Sequence, residues 1–140
     1  MAKTILKIDE EDRYDFYLFG IASQARDYLL CHAVNLKLEI SLVRQEDFDI
    51  FNQKRMEEQG FAFFRYDSED DDQICLVSNR SPKGLLIPEQ KQMDYFLMIR
   101  PVKMRVEESS IIDQLKQTPV ILGVYKLNVM GLKSRANLVF

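Results

Sequence analysis

The stretch FAFFRYDSEDDDQICLVSN, residues 61–79, decides how this chain folds. Its two ends, Phe61 to Tyr66 and Gln73 to Asn79, are rich in aromatic and β-branched residues, the composition of paired strands. Between them Asp67, Glu69, Asp70, Asp71 and Asp72 crowd like charges together. Such a run repels itself and stays solvated, so it fits a turn and little else. It has neither the glycine nor the terminal glutamate of a calcium loop. SPKG (Ser81 to Gly84) then supplies Pro and Gly to reverse the chain again.

Working outward, Tyr14 to Ile21 (YDFYLFGI) is almost continuously apolar, as in a strand buried on both faces. Ser23 stands as an N-cap to a helix over about 23–36, with Tyr28, Leu29, Ala33 and Leu36 as its apolar stripe. Leu38 to Val43 reads as a short strand. Arg44 to Gly60 is mixed, with Phe48, Ile50 and Phe51 set among charges. Downstream, a strand over Met93 to Ile99 is stopped by Pro101. Helical spacing returns at Val106, Ile111, Ile112 and Leu115, over about 106–117, and Val120 to Leu127 is strand-like. Locally paired strands with two main helices predict an α+β fold: a two-layer sandwich with a mostly antiparallel sheet, built as a single domain over 1–140. Phe16 to Phe19 and Tyr95 to Ile99 are apolar on both faces, so the second face of that sheet needs a cover. Arg44 to Gly60 with the tail Leu138, Val139 and Phe140 can supply it. A second copy in a twofold homodimer can do so equally well.

Charge and composition narrow the function classes. Lys and Arg total 19 against 22 Asp and Glu in 140 residues, a net charge of −3, which argues against a surface built for nucleic-acid backbones. No apolar run approaches the roughly 20 residues of a membrane span. Charges at Lys3, Lys7 and Asp9 interrupt any leader-like apolar run. Two cysteines without an export signal point to reduced thiols in a cytoplasm.

Candidates for chemistry are few. His32 is the one histidine and neither Cys31 nor Cys75 sits in a C-x-x-C pair, so no metal site is expected. Adjacent side chains on a helix diverge by roughly 100°, so Cys31 and His32 form no nucleophile–base dyad. His32 reads as a packed, hydrogen-bonded side chain on the apolar stripe, and Cys75 as an inert core thiol. In Gly131-Leu132-Lys133-Ser134 the leucine breaks the phosphate-loop pattern and the upstream glycine is missing, and no cofactor is expected. Asn79, Arg80 and Lys83 read as a plain turn in preference to an anion site.

Two motifs carry more. Gln59 to Tyr66, QGFAFFRY, resembles the core octapeptide of RNA-recognition motifs at Gly60, Phe61, Ala62, Phe63 and Tyr66. In that reading Phe61 and Phe63 stack on bases. Gln59 in place of a basic residue, the acidic hairpin and the negative net charge oppose it, and buried aromatics are the preferred reading. At Ile87 the sequence IPEQKQMDY resembles the signature of the bacterial IPExxxVDY family, matching at Ile87, Pro88, Glu89, Asp94 and Tyr95, with Met93 in place of Val. That resemblance implies a bacterial cytoplasmic protein of the Bacteroidetes type and carries no activity with it.

Read physically, Pro88 marks an edge or turn and Glu89 to Gln92 the turn itself. Met93, Tyr95, Leu97 and Ile99 then share one strand face, with Asp94, Phe96 and Met98 on the other. Asp94 needs backbone N–H groups or an arginine as partners. The leading expectation is a non-enzymatic interaction or structural module with a protein partner. The alternatives are RNA binding through Phe61 and Phe63, and a small enzyme using Glu89 and Asp94 with Lys91 or His32.

Overall fold

The computed structural model describes residues 13–52, 56–138 and 140; Lys3, Lys7, Asp9 and Val139 lie outside them. The chain runs β1 (Tyr17–Ala22), α1 (Asp27–Leu38), β2 (Val43–Arg44), β3 (Phe48–Asn52), β4 (Glu57–Phe61), β5 (Phe63–Asp67) and β6 (Gln73–Ser78). It continues through β7 (Arg80–Ser81), β8 (Gly84–Leu85), β9 (Tyr95–Arg100), α2 (Glu108–Lys116) and β10 (Gly123–Leu127). Single 3-10 turns lie at Pro88–Gln90, Val129–Gly131 and Arg135–Leu138. The class is α+β.

Six strands form one sheet in the order β10-β1-β9-β6-β5-β2, every neighbouring pair antiparallel. The continuously apolar stretch becomes β1, held between β10 and β9, with Phe19 opposite Leu97. The decisive hairpin pairs β5 with β6, Phe64 opposite Leu76. Its boundary differs from the sequence reading, because Phe61 ends β4 and a new strand starts at Phe63.

Each face of the sheet has its own core. On one, Phe19, Ile21, Leu76, Leu97 and Ile99 pack against Leu30, Cys31 and Val34 of α1 and Leu115 of α2. On the other, Leu18, Phe63, Val77, Phe96 and Met98 meet Phe61 of the β3–β4 hairpin, Ile87 and Leu138. The rings of Phe48 and Phe63 both close on Phe140, with centroids 4.6 and 4.9 Å from it. The segment of mixed signal and the described part of the tail therefore cover the second face within one chain. A second copy has no such task.

Four local readings are corrected. Ser23 caps no helix: its hydroxyl donates to Val120 O at 2.5 Å, and α1 starts at Asp27 without a side-chain cap. Leu38 belongs to that helix, which closes at Glu39 in left-handed backbone (φ 56°), so no strand begins before Val43. The buried stripe of α1 is Leu30, Cys31 and Val34, leaving Tyr28, Leu29, His32 and Leu36 exposed. Leu29 with Ala33 and Leu30 with Val34 offer two apolar faces, so periodicity alone does not choose the inner one. Met93 lies before the first paired residue of β9 and packs with Phe96 and Met98, across the sheet from Tyr95.

Candidate functional site

Residues 87–94 form the turn that leads into β9 at Tyr95. Ile87 is fully buried among the second-face residues. Pro88 opens the 3-10 turn, where a missing N–H costs nothing. Gln90 N–H closes on Ile87 O at 3.0 Å, and Met93 N–H on Gln90 O at 3.0 Å.

Asn79, 0% exposed, holds this turn from within. Its side-chain amide donates to Gln90 O (3.0 Å) and Met93 O (2.9 Å), and its Oδ1 accepts Ile87 N–H at 2.7 Å. Its backbone adds two more bonds, N–H to Asp94 O and carbonyl from Leu86 N–H. A buried amide with its donors and acceptor all used is a strong local organiser. In sequence it was visible only as an Asn between a strand and a turn.

The polar signature residues each have a separate partner. Glu89 accepts Ser134 N–H at 2.7 Å and the Ser134 hydroxyl at 2.8 Å, fastening the C-terminal segment. Partial burial opposes ionisation there, but its own N–H and the Ser134 N–H and hydroxyl outweigh it and hold the carboxyl below its ordinary value. Asp94 Oδ2 accepts Ser23 N–H at 2.8 Å, and Oδ1 accepts Arg80 Nε at 2.8 Å. Arg80 also donates to Lys91 O at 2.9 Å. The Tyr95 hydroxyl donates to Ala25 O at 2.7 Å, and burial, then the charges of Asp27 and Asp94, push its ionisation up to about 12. Between Ser23, Arg80, Asp94 and Tyr95 lies an open cleft of about 330 Å³.

A general acid–base couple needs two carboxyl groups whose ionisations are driven apart, one of them upward. Glu89 is driven downward and bound to Ser134, while Asp94 is bound to Ser23 and Arg80. Lys83, the third turn residue, pairs with Glu57 at 3.0 Å. His32 is exposed while its neighbour Cys31 is buried, so the two share no surface. Burial pushes the Cys75 thiol up to about 12, as suits a core position.

Phe61 (0% exposed) and Phe63 (8%) both face the second core, so neither presents a ring for a base to stack on. Gln59, in the octapeptide's first position, is itself buried and donates to Lys83 O at 2.9 Å. Among the described residues no group of three or more His, Cys, Asp or Glu is placed to hold a metal ion, and no helix is long and apolar enough to cross a membrane. Comparison with family models, with curated proteins and with solved structures gives no match for this chain.

Proposed function

We propose that this chain is a non-catalytic interaction module of the bacterial IPExxxVDY family, working in the cytoplasm as a homodimer. The observation that carries this reading is the outer face of α1, where Tyr28, Leu29 and Leu36 are 57%, 47% and 69% exposed. The inner side of the same helix already fills the sheet's first core. Large apolar side chains clustered in water mark interaction surfaces.

Leu29 and Leu36 are seven residues apart, about two helical turns, so they project the same way. A twofold axis crossing antiparallel copies of α1 near His32 and Ala33 sets Leu29 of one copy over Leu36 of the other. One stripe then serves as both halves of an isologous interface. The non-catalytic part of the reading rests on the signature, whose polar side chains are committed to Ser23, Ala25, Arg80 and Ser134. The compartment rests on two buried, unbridged cysteines.

Multi-angle light scattering at micromolar concentration tests it. The expected mass is twice 16.5 kDa, returning to 16.5 kDa in Leu36→Glu. A wild-type mass of 16.5 kDa at every concentration overturns the homodimer.

A further inference from the structure

We infer that the cleft between α2 and the C-terminal end of α1 binds a small aliphatic α-amino acid as its zwitterion. Its floor is Ile74 of β6 and Ile99 of β9, 2% and 1% exposed, and Leu38, Met104 and Ile111 stand around it. The cleft holds about 290 Å³, the small end of the roughly 300–1,000 Å³ range of ligand cavities, so its occupant has few heavy atoms. This goes beyond the interaction reading above, because none of these residues belongs to the exposed stripe of α1.

The rim carries the recognition. Arg105, Glu107, Ser110 and Gln114 line the same cleft, and among the described residues none of these side chains has a hydrogen-bond or ion-pair partner. Some cations elsewhere on the surface pair with carboxylates, as in Arg65–Asp67, Lys83–Glu57 and Lys126–Glu108. Arg105 and Glu107 stay apart although only one residue separates them. One unpaired charge of each sign beside an apolar floor matches a molecule that carries both charges on one carbon and a branched hydrocarbon beyond it. The guanidinium takes the carboxylate as a paired hydrogen-bond acceptor, and Glu107 takes the ammonium.

The backbone leading into the rim is held in place. Asp72 Oδ1 accepts the N–H groups of Val102 (2.6 Å), Lys103 (2.8 Å) and Met104 (3.1 Å), which folds residues 101–104 over the hairpin tip and fixes where Met104 and Arg105 begin. A site held before its ligand arrives has less ordering entropy to lose on binding.

Calorimetric titration of the full chain tests this with L-leucine, 4-methylpentanoate (no ammonium) and 3-methylbutylamine (no carboxylate). L-leucine is expected to bind, and each analogue at least about tenfold more weakly, since each leaves one rim charge facing nothing. Arg105→Ala should erase the advantage of leucine over the amine, and Glu107→Ala its advantage over the carboxylate. Both side chains are exposed and unpartnered, so thermal unfolding should be unchanged in either variant. Three results overturn the inference: no binding of leucine at ~10 mM, equal binding of leucine and 4-methylpentanoate, or leucine affinity unaltered in both variants.

Discussion

The backbone N–H of Ser23 donates to Asp94 Oδ2 at 2.8 Å, joining residues 71 positions apart. The same carboxylate accepts Arg80 Nε through its other oxygen. Asp94 thus ties the end of β1 to the head of β9 and to the turn after β6. The three strands leave the sheet at one end, and this carboxylate gathers them.

Replacing Asp94 with Ala leaves the partly buried Ser23 N–H without its acceptor and the Arg80 guanidinium without its ion pair. The expected loss is about 1–3 kcal/mol. Asp94→Asn keeps an acceptor for Ser23 and loses only an ion pair whose arginine is half exposed, so it should cost less than about 1 kcal/mol. Urea unfolding of both variants decides the matter. Equal losses would show that the ion pair and not the Ser23 contact is what stabilises the fold.

Asn79 should matter more. Asn79→Ala strands the buried Ile87 N–H and Met93 O and leaves Gln90 O with Met93 N–H alone. With each unsatisfied buried group costing about 1–3 kcal/mol, a loss of about 3 kcal/mol or more is expected in urea unfolding. Asn79→Asp should be no better at neutral pH, because a carboxylate would face two carbonyl oxygens. A loss near zero for Asn79→Ala would mean that the signature turn holds its shape without this amide.

These two residues also mark what can be read from sequence. The hairpin of residues 63–78 was legible because five clustered acids between two apolar runs fit a turn and little else. Asp94's need for a backbone donor or an arginine was legible because an isolated carboxylate on an apolar strand is costly. The identities Ser23 and Arg80 were not, since both come from other elements. Asn79 was hidden for the same reason: its worth lies in three groups on a turn 8 to 14 residues away. Asp72 was lost among like-charged neighbours, although it alone of that run is buried. The inner face of α1 was misread because Leu29 and Leu30, and Ala33 and Val34, offer two apolar faces of similar quality.

Asp72 gives a pH dependence with a definite sign. The N–H of Val102 first, then those of Met104 and Lys103 and the Ser68 hydroxyl, hold its carboxyl down at about 2 against the opposing effect of burial, from an ordinary 3.8. The folded chain therefore gives up this proton more readily than the unfolded chain. The resulting stability is fully present above about pH 4, shrinks as pH falls through the ordinary value, and is gone below about 2. Asp72→Asn removes that titration while leaving an acceptor oxygen. Unfolding midpoints measured from pH 5 to pH 2 should fall more steeply for wild type than for this variant. Parallel curves would count against the assignment.

Gly20 and Met93 fit closely together on the second face. A Cβ on Gly20 would lie 2.4 Å from Met93 Sδ, 2.8 Å from its Cγ and 3.2 Å from Leu127 Cδ1. The absence of a side chain at position 20 of β1, opposite Phe96, is what lets Met93 pack against the sheet there. Gly20→Ala should therefore cost about 1–3 kcal/mol through overpacking, since the added methyl meets the buried Met93 and the partly buried Leu127 side chains. Met93→Ala alone should cost about 2–5 kcal/mol through the cavity it leaves. Combined, the two should cost less than their sum by at least about 0.5 kcal/mol, because the new methyl occupies part of that cavity. A double-mutant cycle in urea measures the difference directly. Strict additivity would mean that the two positions do not share the space, and that some other contact seats Met93.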